Sequence, residues 1–110
     1  MISLSTHILD TAHGCPAAGV ALRLDTAEGA SLFSGVTDQD GRCPGMPPLA
    51  PGRYRLCFAV ADYFRQRGVP LPDPPFLDVV AIDFGLAEAD GHYHVPLLVS
   101  PFAYSTYRGS

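Results

Sequence analysis

The sequence predicts an all-β sandwich, and three observations carry that prediction. Eleven glycines and eleven prolines cut its 110 residues into short apolar runs. Most of those runs alternate with the period of two that gives a strand one buried and one open face. Residues 61–68 alone break the period in favour of helical turns.

The elements follow in order. Residues 4–9 make the first strand, with Leu4, Thr6 and Ile8 on one side and Ser5, His7 and Leu9 on the other. Asp10-Thr11-Ala12-His13-Gly14-Cys15-Pro16 closes it. Residues 19–25 make the second, with Val20, Leu22 and Leu24 on one face. A short third strand at 32–36 ends in Thr37-Asp38-Gln39-Asp40-Gly41, whose Asp-Gly pair is a strong turn signal. Residues 53–60 set Tyr54, Leu56, Phe58 and Val60 against Arg53, Arg55, Cys57 and Ala59. In 61–68 an early Asp62, late Arg65 and Arg67 and a closing Gly68 suit one or two helical turns. Pro70, Pro72, Pro74 and Pro75 postpone pairing until a strand at 77–84. Asp90-Gly91 then turns the chain into a strand at 92–99, and Ser100-Pro101 separates this from a last one running from Ala103 to about Tyr107. Seven strands and one short helix fit a single domain over residues 1–110.

A formal charge of −4, with seven arginines and only 16% charged residues, argues against nucleic acid and against a polybasic membrane patch. Hydrophobic residues make up 47%, leaving little charge to cover a small domain's surface, so an oligomer that hides apolar area is expected. The first residues lack a basic segment, a long apolar stretch and a cleavage site, and no apolar run approaches about 20 residues, which favours a cytoplasmic protein. Cys15, Cys43 and Cys57 lack the paired spacings of a zinc site or a disulfide scaffold and read as reduced structural thiols.

The chemistry concentrates on strand faces. In 92–99, alternation assigns Tyr93, Val95, Leu97 and Val99 to the core and His92, His94, Pro96 and Leu98 to the other side. Imidazoles beside Pro and Leu suit an interface with a polar site at one end. His7 and Leu9 repeat that pairing on the first strand. Taken singly, a strand histidine is most often a hydrogen-bonded structural residue, and His13 and His92 keep that reading. Arg42 alone would be a solvated loop arginine. A nucleophile elbow, a phosphate-binding glycine loop, an H-E-x-x-H helix and a dinucleotide fingerprint are all absent from the sequence. His92-x-His94 could chelate a metal, but no third ligand sits at a telling spacing, so no metal is expected. Asp38 and Asp40 suit the turn better than a catalytic pair.

Four stretches, Ser5-Thr6-His7-Ile8-Leu9-Asp10, Thr37-Asp38-Gln39-Asp40-Gly41-Arg42, His92-Tyr93-His94-Val95-Pro96-Leu97-Leu98-Val99-Ser100-Pro101 and Tyr104-Ser105-Thr106-Tyr107-Arg108-Gly109-Ser110, resemble the 5-hydroxyisourate hydrolase family. These are the transthyretin-related enzymes of purine breakdown, and the resemblance covers essentially the whole chain. It implies a transthyretin-like sandwich of two four-stranded sheets with one short helix. It also implies a homotetramer, a dimer of dimers, with sites in the channel where dimers meet. The implied catalytic residues are His7, Arg42, His94 and Ser110; the implied substrate-binding residues are His7, Arg42, Tyr107, Arg108 and Gly109. The substrate would be 5-hydroxyisourate, and no cofactor is expected. Asp83 departs from the basic or neutral residue expected at its position, which touches surface charge rather than the site.

That chemistry suits these residue types. Opening the N1–C6 amide needs an activated water, a place for negative charge on the carbonyl oxygen and a proton for the departing nitrogen. His7 and His94 would share the base and acid work, Arg42 would hold the planar ring and the oxyanion, and Tyr107 and Ser110 would orient substrate and imidazole. Two other classes compete. One is a transthyretin-like carrier that holds a small ligand without turning it over, which has no need of two imidazoles and an arginine. The other is an adhesion sandwich, which would leave an apolar face open on a monomer.

Overall fold

The computed structural model describes residues 1–109. Along them run β1 (Ile2–Asp10), β2 (Cys15–Pro16), β3 (Ala21–Thr26), β4 (Ser31–Val36), β5 (Gly52–Ala59), α1 (Val60–Gln66), β6 (Val79–Leu86), β7 (Gly91–Val99) and β8 (Tyr104–Thr106). Ser110, expected in the site, lies outside the described residues. Two four-stranded sheets result, ordered β2-β1-β7-β8 and β4-β3-β5-β6. All neighbours are antiparallel except β1 and β7, which run parallel over nine paired residues.

The alternating residues meet between the sheets as expected. Leu4, Ile8, Leu22, Leu24, Leu56, Phe58, Tyr93, Val95, Leu97 and Val99 are all buried there. Each large apolar side chain taken fully out of water contributes about 1.5–3 kcal/mol, so these faces fix which side of every strand points inward. Thr6 joins this core because its hydroxyl donates to the Val95 carbonyl at 2.7 Å. On the outside of the β3-β5-β6 sheet, Arg23 meets Asp25 at 2.8 Å and Arg55 meets Asp83 at 2.6 Å. Arg55 and Asp83 are exposed and pair directly across the ladder, whereas Asp25 is 6% exposed and its Oδ1 has no hydrogen-bond partner among the described residues.

Several boundaries differ from the sequence reading for local reasons. β2 was not expected: two residues are too few for a periodic signal, and Pro16 is tolerated because β2 is an edge strand. Val60 begins the helix rather than ending β5. Its N–H and that of Ala61 both donate to the Asp78 carbonyl at 3.1 Å, which replaces a side-chain cap. That contact holds Asp78 out of β6, so the strand starts at Val79 rather than at Leu77. Ala103 stays in the preceding turn, its carbonyl accepting from Ser100 N–H at 2.8 Å, and Tyr107 falls beyond the three residues of β8.

The helix is tied to the end of β1 by a buried carboxylate. Asp10, 1% exposed, accepts hydrogen bonds from the Tyr63 hydroxyl at 2.7 Å, His13 Nδ1 at 2.6 Å and His13 N–H at 3.0 Å. Burial alone would raise its carboxyl, but these donors outweigh it and hold the group below the ordinary carboxylate range. Burial and then Asp10 itself push the Tyr63 phenol up. Cys15, Cys43 and Cys57 are free thiols, and burial raises that of Cys43. Among the described residues, no helix is long and apolar enough to cross a membrane.

Candidate active site

The parallel register of β1 and β7 pairs Ser5 with His94 and His7 with Pro96. Odd positions of β1 and even positions of β7 therefore share the outer face of this sheet, and His7 and His94 come onto one surface. The face mixes polar and apolar groups: Ser5, His7, Leu9, His94 and Leu98 are half-buried and Pro96 is buried.

A turn brings Arg42 to this surface. Asp38 Oδ1 accepts from the backbone N–H of Asp40 at 2.9 Å and of Arg42 at 3.0 Å, closing the loop as the turn reading expected. Gly41, at φ +76°, lets its carbonyl reach Ile8 N–H at 2.8 Å. A Cβ at that position would collide with the Ile8 carbonyl oxygen, so only glycine fits. The next residue, Arg42, then bridges His7 in antiparallel fashion.

The segment after β8 returns to the same face. Gly109 N–H donates to the His94 carbonyl at 2.7 Å, and a Cβ on Gly109 would lie 2.5 Å from His94 Cδ2. The backbone thus presses on the flank of the imidazole. His7, Arg42, His94 and Gly109 are gathered at one place. The side chains of Tyr107 and Arg108 are not: they line a cleft of about 230 Å³ between β6, β7 and β8. There the Arg108 guanidinium stacks 3.8 Å from the centre of the Tyr93 ring and reaches Glu88 at 3.4 Å. A larger hollow, about 560 Å³, lies by Arg53, Tyr54, Arg55 and Asp83 on the other sheet, away from both histidines.

Burial lowers His94 below the ordinary imidazole range, and the positive charge of Arg42, then His7 and His92, lowers it further. Neutral imidazole is therefore the ready form at neutral pH. The arrangement offers a proton acceptor, a second imidazole and a fork of guanidinium donors to one planar ligand. Among the described residues, no group of three or more His, Cys, Asp or Glu side chains is placed to hold a metal ion.

Sequence reasoning left three participants aside. Ser3 Oγ lies 2.6 Å from His92 Nδ1, Ser5 Oγ lies 2.8 Å from His92 Nε2, and the same Ser5 Oγ lies 2.7 Å from His94 Nδ1. Strand alternation put Ser5 on the face of His7 and His92 on that of His94. Only the β1–β7 pairing reveals that they touch.

The pattern of the family described as "Transthyretin: HIUase/Transthyretin family" matches residues 4–109. The 5-hydroxyisourate hydrolase of Caulobacter vibrioides is 54% identical over 115 residues, covering 100% of both chains. A solved structure of Klebsiella pneumoniae 5-hydroxyisourate hydrolase superposes with a TM-score of 0.87 at 39% identity, again over 100% of each chain. Transthyretin from Sparus aurata superposes with a TM-score of 0.84 at 34% identity, over 96% of this chain and 95% of that one. The chain belongs to the HIUase/transthyretin family.

Proposed function

We propose that this protein hydrolyses 5-hydroxyisourate in urate breakdown, opening the N1–C6 amide by direct attack of water. The observation that carries the reading is the meeting of His7, Arg42 and His94 on the outer face of β1 and β7, reached from three separate parts of the chain. Similarity to 5-hydroxyisourate hydrolases over the full length supports the choice of substrate.

Arg42 holds the planar ring by its paired donors and faces the carbonyl oxygen as negative charge grows there. His7 and His94 divide the base and acid roles. The lowered basicity of His94 keeps it free of a proton at neutral pH, as a base requires. Gly109, packed against His94, and Ser110 complete the binding surface, with Ser110 sharing in the catalytic work, and Tyr107 and Arg108, whose side chains line the neighbouring cleft by Tyr93, would join it by turning out of that cleft. In one chain the histidine face is partly open, and the half-buried apolar Leu9 and Leu98 beside it suit a contact with another copy. A homotetramer, a dimer of dimers, closes two such faces into a channel and desolvates the site.

The test generates 5-hydroxyisourate from urate with urate oxidase and compares its decay with and without this protein. Faster decay, lost in His7→Asn, Arg42→Glu and His94→Asn by at least about 100-fold in kcat/KM, is the expected result. Unchanged decay with micromolar wild-type protein rejects the hydrolase and leaves the carrier.

A further inference from the structure

The hydrogen bonds that run from His94 toward solvent admit one assignment of donors and acceptors that satisfies all of them. Ser3 Oγ donates to the Gly91 carbonyl at 3.4 Å, and a carbonyl can only accept. In the assignment that satisfies this contact as well, Ser3 accepts from His92 Nδ1–H at 2.6 Å. That leaves the lone pair of a neutral His92 on Nε2, which accepts the Ser5 hydroxyl proton at 2.8 Å. Ser5 Oγ in turn accepts from His94 Nδ1–H at 2.7 Å. The lone pair of His94 then sits on Nε2, for which the described residues supply no hydrogen-bond partner. His92 is exposed, so the chain ends in solvent.

We propose that Ser5 and His92 fix His94 as the base of the reaction, with its lone pair on Nε2, and form a proton relay through which the imidazolium sheds a proton to solvent while the product still fills the site. The proposal rests on the hydrolase reading, whose chemistry creates the need. Water adds its oxygen to C6, one proton ends on N1, and the new carboxyl ionises at neutral pH because its ordinary pKa is near 4. One proton per turnover must leave.

The steps balance. His94 Nε2 takes a proton from the attacking water as the C6–O bond forms. The imidazolium passes its Nδ1 proton to Ser5 Oγ while the Ser5 hydroxyl proton moves to His92 Nε2, and His92 releases its Nδ1 proton through Ser3 or directly to solvent. His7 protonates N1 as the C6–N1 bond breaks, and regains a proton from the product's carboxyl. Once product leaves, Nε2 of His94 gives its proton to entering water and another returns to Nδ1 along the chain, with no net change. Arg42, His7 and His92 are the charged or titratable groups that bear on His94, and all oppose positive charge there, so the imidazolium gives up a proton along the chain. Ser5 and His92 act through His94 and are positioning residues.

The test uses the full chain with Ser5→Ala, Ser5→Thr and His92→Gln. In low buffer, Ser5→Ala and His92→Gln should lower kcat by about 10- to 100-fold with KM little changed. Added imidazole should restore them, and Ser5→Thr, which keeps the hydroxyl, should stay near wild type. Nitrogen NMR of the wild-type protein should find His94 protonated at Nδ1 at neutral pH. Wild-type kcat in His92→Gln, a loss that imidazole does not repair, or His94 protonated at Nε2 would each overturn the relay. The wild-type rate in the same assay separates the two readings: no acceleration removes the hydrolase and the relay together, whereas acceleration with unaffected variants removes the relay alone.

Discussion

Gly109→Ala tests whether the terminal segment positions the base. The backbone there is held by the bond from Gly109 N–H to the His94 carbonyl at 2.7 Å, and the residue does not need a positive φ, so alanine adopts its conformation without strain. The one conflict is steric. The new methyl would stand 2.5 Å from His94 Cδ2, whereas relaxed carbon contacts lie near 3.5–4.0 Å, so the ring must give way by about 1 Å. A shift of about 1 Å in a reacting group can cost roughly 10²-fold, equivalent to about 2.7 kcal/mol of transition-state stabilisation. We expect kcat/KM for 5-hydroxyisourate to fall by that order, with a thermal midpoint within a few degrees of wild type because no core residue is touched. Decay of enzymatically generated substrate gives the first quantity and circular dichroism the second. A Gly109→Ala protein with more than about half of wild-type kcat/KM would refute the packing argument, since the ring would then have tolerated the methyl.

Three further outcomes follow from the same geometry. Arg42→Lys keeps the charge but loses the planar fork, and should lower kcat/KM by roughly 10²-fold; equal activity would show that a point charge suffices. With His94 lowered below the usual 6.5, kcat/KM should hold down to about pH 6.5 and fall only at lower pH, as the base gains its proton. A flat profile to pH 5 would contradict a histidine base. Tyr63→Phe strips Asp10 of a buried donor and should cost about 1–3 kcal/mol of unfolding free energy at pH 7. Because the folded carboxyl is depressed, its ionised form contributes fully above the unfolded value of about 3.9, and this is lost as pH falls through the lower folded value. Urea titrations at pH 7 and pH 3 should therefore find the variant's deficit smaller at pH 3. Equal deficits would mean that Tyr63 does not stabilise the ionised form.

What the sequence revealed and withheld divides along the range of the forces involved. Alternation assigned Tyr93, Val95, Leu97 and Val99 to the core because burial acts on each residue wherever the neighbouring strand comes from. Boundaries slipped where a distant backbone group intervened: the Asp78 carbonyl serves the first turn of α1, and β2 exists only as a partner for β1. For the site, the residue pattern reached as far as two mixed faces, and family resemblance had to supply their meeting. The decisive step is the parallel pairing of β1 with β7, residues nearly ninety positions apart, which no local periodicity encodes. That pairing turns Ser5 and His92 from unremarkable surface residues into neighbours of His94. A one-residue slip of β1 against β7 would break this register, and the buried faces of Leu4, Thr6 and Ile8 resist such a slip. The apolar code on the inner side of the sheet thereby holds the polar chain on its outer side in register. A substitution such as Ile8→Ala would act on catalysis through alignment as well as through stability.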